Sequence, residues 1–76
     1  MHIGMLWFDN NPKVALKIKI EKAMSYYRNK YHREANLCLI HPTMLGKDGL
    51  EMDSIMVRPY QSVLPGHLWI GVEDEI

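Results

Sequence analysis

The chain opens with an apolar run that predicts a β-strand. Residues 2–8 are mostly apolar, and the run ends at a cluster of turn-forming residues at positions 9–11. A second short apolar run covers residues 37–41 and stops at Pro42, a residue that central strands exclude. These two runs predict the first two strands of a sheet.

Two further strands are predicted in the second half of the chain. One covers residues 55–58, where Pro59 either ends the strand or confines it to a sheet edge. The last covers His67–Glu73 and follows a turn at residues 64–66. Its side chains alternate, with Trp69 on one face. The opposite face carries Leu68, Ile70 and Val72.

A helix is predicted between the first two strands, from Pro12 to about Tyr31, with Asn11 as its N-cap. The alternation at residues 14–21 is also typical of a strand, but the apolar stripe continues at helical spacing to Tyr31. In the helix, Val14 and Ile18 point away from this stripe. The stripe comprises Leu16, Ile20, Ala23, Met24, Tyr27 and Tyr31.

These elements predict a single α+β domain over residues 1–76, in the order β-α-β-β-β. One main helix packs on one face of a roughly four-stranded mixed sheet, and the crossover makes the first two strands parallel. A chain of 76 residues has room for one core and little beyond it.

The predicted strands have more apolar surface than the predicted helix can cover. In the first strand both faces are apolar, and the same holds for the second and third strands. One helix covers one face, and the loop over residues 42–54 is too short and polar to cover the whole of the other. A bare face carrying Leu6, Phe8 or Trp69 is an apolar patch of the kind that marks interfaces. We therefore expect a homodimer or a stable complex with another protein.

Cysteine content and apolar run length indicate the cellular setting. Cys38 is the single cysteine, so no internal disulfide forms, and a reducing compartment is expected. The sequence shows no signal-peptide pattern and no apolar run long enough to span a bilayer. We expect a cytoplasmic protein without membrane association.

Charge is unevenly distributed although the net charge is zero. Up to Ala35 the chain has seven basic and three acidic residues, and after it two basic and six acidic residues. A basic helix over residues 12–33 suggests an alternative function as a nucleic-acid-associated accessory protein. Charged residues also fill the solvated face of ordinary surface helices. The candidate anion contacts are Lys13, Lys17, Lys22, Arg28 and Arg58.

A second alternative is a small enzyme or metal site at the carboxyl ends of the parallel strands, where ligands of α/β units gather. Imidazole and carboxylate groups bind metals and transfer protons, but the same residues are ordinary turn and strand-end residues. The candidates at this edge are Asp9, Asn10, His41 and His67. No catalytic, metal or cofactor motif is present, so we predict no cofactor and leave enzymatic activity open.

Of these readings the sequence favours a protein-interaction or assembly module that self-associates through an apolar sheet face. This reading depends on an imbalance of apolar surface rather than on the type of a few residues.

Overall fold

The computed structural model describes residues 2–46 and 49–73 and has the predicted α+β fold, with one main helix and a four-stranded mixed sheet. The elements in chain order are β1 (His2–Phe8), α1 (Leu16–Tyr31), β2 (Leu37–Ile40), α2 (Pro42–Leu45), β3 (Met56–Pro59) and β4 (His67–Glu73). The predicted bounds of β1 and β4 are confirmed.

The strands are ordered β1-β4-β2-β3 across the sheet. The last strand, β4, lies between the first two and is antiparallel to both, while β2 and β3 are parallel. The first two strands therefore run in the same direction without touching. β1 and β3 form the two edges, and Pro59 ends β3 at an edge as its missing N–H requires.

Helix α1 begins at Leu16, so the prediction of a start at Pro12 was wrong. The Asn11 side chain accepts a hydrogen bond from the backbone N–H of Lys13 at 3.0 Å, and the Asn11 carbonyl accepts one from Val14 at 3.3 Å. Asn11 thus caps a tight turn and not the helix. Ala15 is extended and serves as the N-cap, without a side-chain hydrogen bond.

The core lies between α1 and one face of the sheet. Ile20, Ala23 and Tyr27 of α1 are buried there, as the stripe predicts, and Leu16 and Met24 pack at the rim. The sheet contributes Cys38, Ile40, Leu68, Ile70 and Val72. Two further positions on the helix, Ile18 and Tyr31, are exposed.

The segment after β2 covers the same side of the sheet as α1. It includes the short helix α2, which sequence reasoning missed; the His41 side chain accepts a hydrogen bond from the Thr43 N–H at its start, at 3.2 Å. Apolar side chains of this segment pack on the α1 core, so the alternative that it covers the second face was wrong. They are Met44, Leu45, Leu50 and Met52.

The segment after β2 packs on the α1 side because β3 lies at the sheet edge. Leu45 and Leu50 line a hollow together with Val57 and Pro59, which belong to the helix side of that strand. The loop thus covers the β3 end of that side. The predicted turn at Lys47 and Asp48 lies outside the described residues.

Candidate functional site: the open face of the sheet

Strand register brings the apolar residues of the second face together. Leu6 is paired with Trp69, Trp69 with Leu39, and Leu39 with Arg58, so these residues form one row across all four strands. We call this side of the sheet, opposite α1, the open face. Its members include Gly4, Leu6, Phe8, Leu37, Leu39, Met56, Arg58, His67, Trp69, Gly71 and Glu73.

Much of the open face is accessible to solvent. Leu6 is 64% exposed, Phe8 58% and Met56 49%, while Leu39 and Trp69 are half-buried. The three residues singled out from the sequence as interface candidates, Leu6, Phe8 and Trp69, therefore lie on one face. Leu6 and Phe8 are exposed large apolar side chains that are neighbours on β1 rather than scattered singly, and this is the unusual observation here.

The segment of residues 60–66 covers part of the open face. It leaves β3 with a hydrogen bond from the Tyr60 N–H to the Ile40 carbonyl, at 2.7 Å. Val63 in this segment and Leu37 on the sheet are both buried, although neither belongs to the core under α1. A shallow hollow of about 680 Å³ remains beside them. Its lining includes Leu6, Leu39, Arg58, Tyr60, Val63 and Trp69.

The indole of Trp69 packs against the backbone of Gly4, which is possible because Gly4 has no side chain. A Cβ atom added at Gly4 would lie 2.5 Å from Cε2 of Trp69 and 2.8 Å from the Ile70 carbonyl oxygen. Glycine in a strand commonly marks such a close approach. Trp69 thus extends the apolar surface from β4 onto β1.

Phe8 and His67 form the end of the open face nearest the turn before β4. Their ring centroids are 4.8 Å apart, and the planes are tilted by 53°. Gly66 adopts a φ of +84°, and its carbonyl accepts a hydrogen bond from the Asp9 N–H at 2.9 Å. The turn before β4 is therefore hydrogen-bonded to the residue that follows Phe8 and holds the end of β1 in place.

At the candidate polar edge the strand ends are neighbours, but the side chains do not converge. Asp9 and His67 lie at adjacent strand ends, yet on opposite sides of the sheet: His67 contacts Phe8, whereas Asp9 contacts Lys19 of α1. The imidazole of His41 is engaged at α2. In residues 2–46 and 49–73, no three His, Cys, Asp or Glu side chains are placed to hold a metal ion. Asn10 is an exposed turn residue.

Lys19 is a feature that sequence reasoning missed. Its side chain is only 6% exposed, its Nζ donates to the Asp9 carbonyl at 3.1 Å, and Nζ lies 3.9 Å from the Asp9 carboxylate. The signal was present in the sequence, because position 19 falls within the apolar stripe of α1, three residues after Leu16 and four before Ala23. A lysine there buries its stem and reaches the strand end with its amine.

The candidate anion contacts do not all lie on one surface. Lys17 and Lys22 are exposed on α1, Lys13 lies in the preceding turn, and Arg28 is paired with Glu34 at 3.3 Å. Arg58 is on the open face, separated from the helix by the sheet. Within the described residues, Arg58 forms no ion pair with the acidic residues Glu51 and Asp53.

Cys38 is a buried core residue. Burial raises the pKa of its thiol from 9.0 to about 12, so the thiol is neutral at physiological pH. A neutral, buried thiol is a poor nucleophile and a poor metal ligand.

Comparisons with known proteins give no match: neither a family model, nor a curated protein, nor a solved structure matches this chain. In the described part of the chain, no helix is long and apolar enough to cross a membrane.

Proposed function

We propose that this protein is an assembly module that self-associates through the open face. The observation that supports the proposal most strongly is the placement of α1 and the segment after β2 on the same side of the sheet, so that only residues 60–66 cover part of the open face. That placement leaves Leu6 and Phe8 exposed side by side on β1, and Met56 exposed on the opposite edge strand β3.

The energetic argument concerns the cost of that exposure. Burying a large apolar side chain is favourable by about 1.5–3 kcal/mol, so burying the neighbouring side chains of Leu6 and Phe8 is a substantial driving force for association. The hollow beside Trp69 gives the surface relief into which an apolar side chain of a second copy can fit. Arg58 at its border supplies a polar rim.

The basic helix offers weaker support for a nucleic-acid function. Glu21 and Glu34 are interspersed with the basic residues, and Arg28 is already paired. The polar edge offers weaker support for an enzyme, because its side chains take separate local partners.

The proposal is tested with one variant on the open face and one on the opposite side. Phe8→Ser removes an exposed apolar side chain from the open face, and Ile18→Ser makes a comparable change on the exposed surface of α1. We expect Phe8→Ser to raise the dimer dissociation constant at least about tenfold and Ile18→Ser to leave it unchanged. Equal effects of the two variants, measured by analytical ultracentrifugation, would contradict the proposal.

A further inference from the structure

The two edges of the sheet differ in how well they are protected against strand pairing. The β3 edge has four residues, carries Arg58 and ends at Pro59. The β1 edge has seven residues and contains no Asp, Glu, Lys, Arg or Pro. Short length, charge and proline are the usual means by which edge strands avoid pairing. β1 has none of them.

The backbone of β1 has hydrogen-bonding groups directed away from the sheet. The Asp9 N–H donates to the Gly66 carbonyl, and this contact continues the β1–β4 register. In an antiparallel ladder alternate residues face the partner strand, so Met5 and Trp7 also bond to β4. The N–H and C=O groups of Gly4, Leu6 and Phe8 therefore point outward.

We propose that β1 pairs antiparallel with β1 of a second copy, across a two-fold axis at Met5, so that two four-stranded sheets become one sheet of eight strands. This inference rests on the proposed self-association and assigns it to the β1 border of the open face, where the exposed Leu6 and Phe8 lie. An axis at Met5 places Gly4 opposite Leu6 of the second copy and uses the full length of the strand.

Two features of β1 favour a second copy as the occupant. In a two-fold strand pair every residue of the strand faces a residue of the same strand in the second copy, so a strand of like charges would repel itself; β1 contains no Asp, Glu, Lys or Arg. Opposite Gly4, Leu6 of the second copy meets the Trp69 indole that lies over this glycine. The exposed Leu6 thereby gains an apolar neighbour, and the two open faces become continuous.

The test replaces the outward N–H of Leu6 with N–CH3 and leaves every side chain unchanged. The full chain is prepared from two synthetic segments joined at Cys38, with N-methyl-leucine at position 6, and compared with the unmodified synthetic chain. We expect the N-methyl chain to keep its far-UV circular dichroism and to dimerise at least about tenfold more weakly. Equal dimerisation of the two chains would overturn the strand-pairing inference.

The variant Leu6→Ser separates this inference from the proposed function, because it keeps the N–H and loses the apolar side chain. If Leu6→Ser weakens the dimer and N-methylation does not, the open face mediates assembly and the β1 pairing is wrong. An unmodified chain that stays monomeric at all concentrations overturns both.

A disulfide test checks the pairing without altering the backbone. In a Cys38→Ala background, Met5→Cys places two cysteines in a non-hydrogen-bonded pair about 4.5 Å apart at Cα, which a disulfide spans. Leu6→Cys places the two cysteines diagonally across the strand pair, too far apart for a disulfide to span. We expect covalent dimers at least about tenfold faster from Met5→Cys; the reverse order would overturn the Met5-centred pairing.

Discussion

The indole ring of Trp69 lies directly over the backbone of Gly4, and it can do so because Gly4 has no side chain. The apolar surface of Trp69 therefore extends across two neighbouring strands. Trp69 belongs to β4 and Gly4 to β1, so the contact joins the edge strand to its neighbour on the open face. It also makes the position of the largest open-face side chain dependent on a glycine.

Gly4→Ala is expected to destabilise the fold by about 1–3 kcal/mol, because the added methyl group overlaps Trp69 and approaches the Ile70 carbonyl at 2.8 Å. Urea unfolding followed by circular dichroism measures the change. In a Trp69→Ala background the cost of Gly4→Ala falls by at least about 1 kcal/mol. An unchanged cost there would show that the ring does not restrict this position.

Gly66→Ala is expected to cost more stability than Gly49→Ala. Both glycines have positive φ, +84° and +67°, so both substitutions carry backbone strain of about 1 kcal/mol or more. A Cβ at Gly66 also lies 3.3 Å from the Phe8 ring, whereas nothing lies within 4 Å of one at Gly49. Thermal unfolding of the two variants gives the difference; equal costs would mean that the Phe8 ring moves aside freely.

Lys19→Met is expected to destabilise the protein by about 1–3 kcal/mol. Methionine keeps the buried stem but loses the hydrogen bond to Asp9, and it leaves that carboxylate without its nearby cation. Lys17→Met, two residues earlier on the exposed side of α1, is expected to change stability by less than about 0.5 kcal/mol. Equal unfolding free energies of the two variants would contradict a structural role of the Lys19 amine.

Stability is expected to fall above pH 9 because of Cys38. Burial raises the pKa of its thiol from 9.0 to about 12 in the folded protein, so the unfolded chain ionises first. The contribution of the neutral thiol to the free energy of unfolding is complete below pH 9 and is lost as the pH rises towards 12. Near pH 10.5 the loss is about 2 kcal/mol. Comparing urea unfolding near pH 8 and 10.5 for the native chain and Cys38→Ala isolates it, since the lysines and tyrosines are common to both. Parallel pH dependences would rule out the thiol as the cause.

The fold was predictable where side-chain periodicity and turn chemistry agree. The bounds of β1 and β4 follow from apolar runs closed by turn residues, and the buried face of α1 follows from its stripe. The start of α1 was not, because Asn11 and Pro12 favour a tight turn as well as a helix N-terminus. The local sequence does not decide between a tight turn and a helix start; the contacts of the folded chain do.

The apolar residues of the open face could be predicted from the sequence, but which segments cover that face could not. Alternation places Leu6 and Phe8 on one side of β1, and the β1–β4 register brings Trp69 to the same side. The side on which a loop packs depends on strand order, and the insertion of β4 between β1 and β2 is not encoded in local pattern. The partial cover by residues 60–66 follows from that order, since the chain must pass the end of β2 to reach β4.

The central claim is self-association through surfaces that the fold leaves uncovered, and the solution mass tests it most directly. Size-exclusion chromatography with multi-angle light scattering, over a wide range of concentration and with absorbance recorded at 260 and 280 nm, gives both mass and nucleic-acid content. We predict a mass twice the 8.9 kDa of the chain, with the absorbance ratio of pure protein. A mass of 8.9 kDa at every concentration would contradict the account.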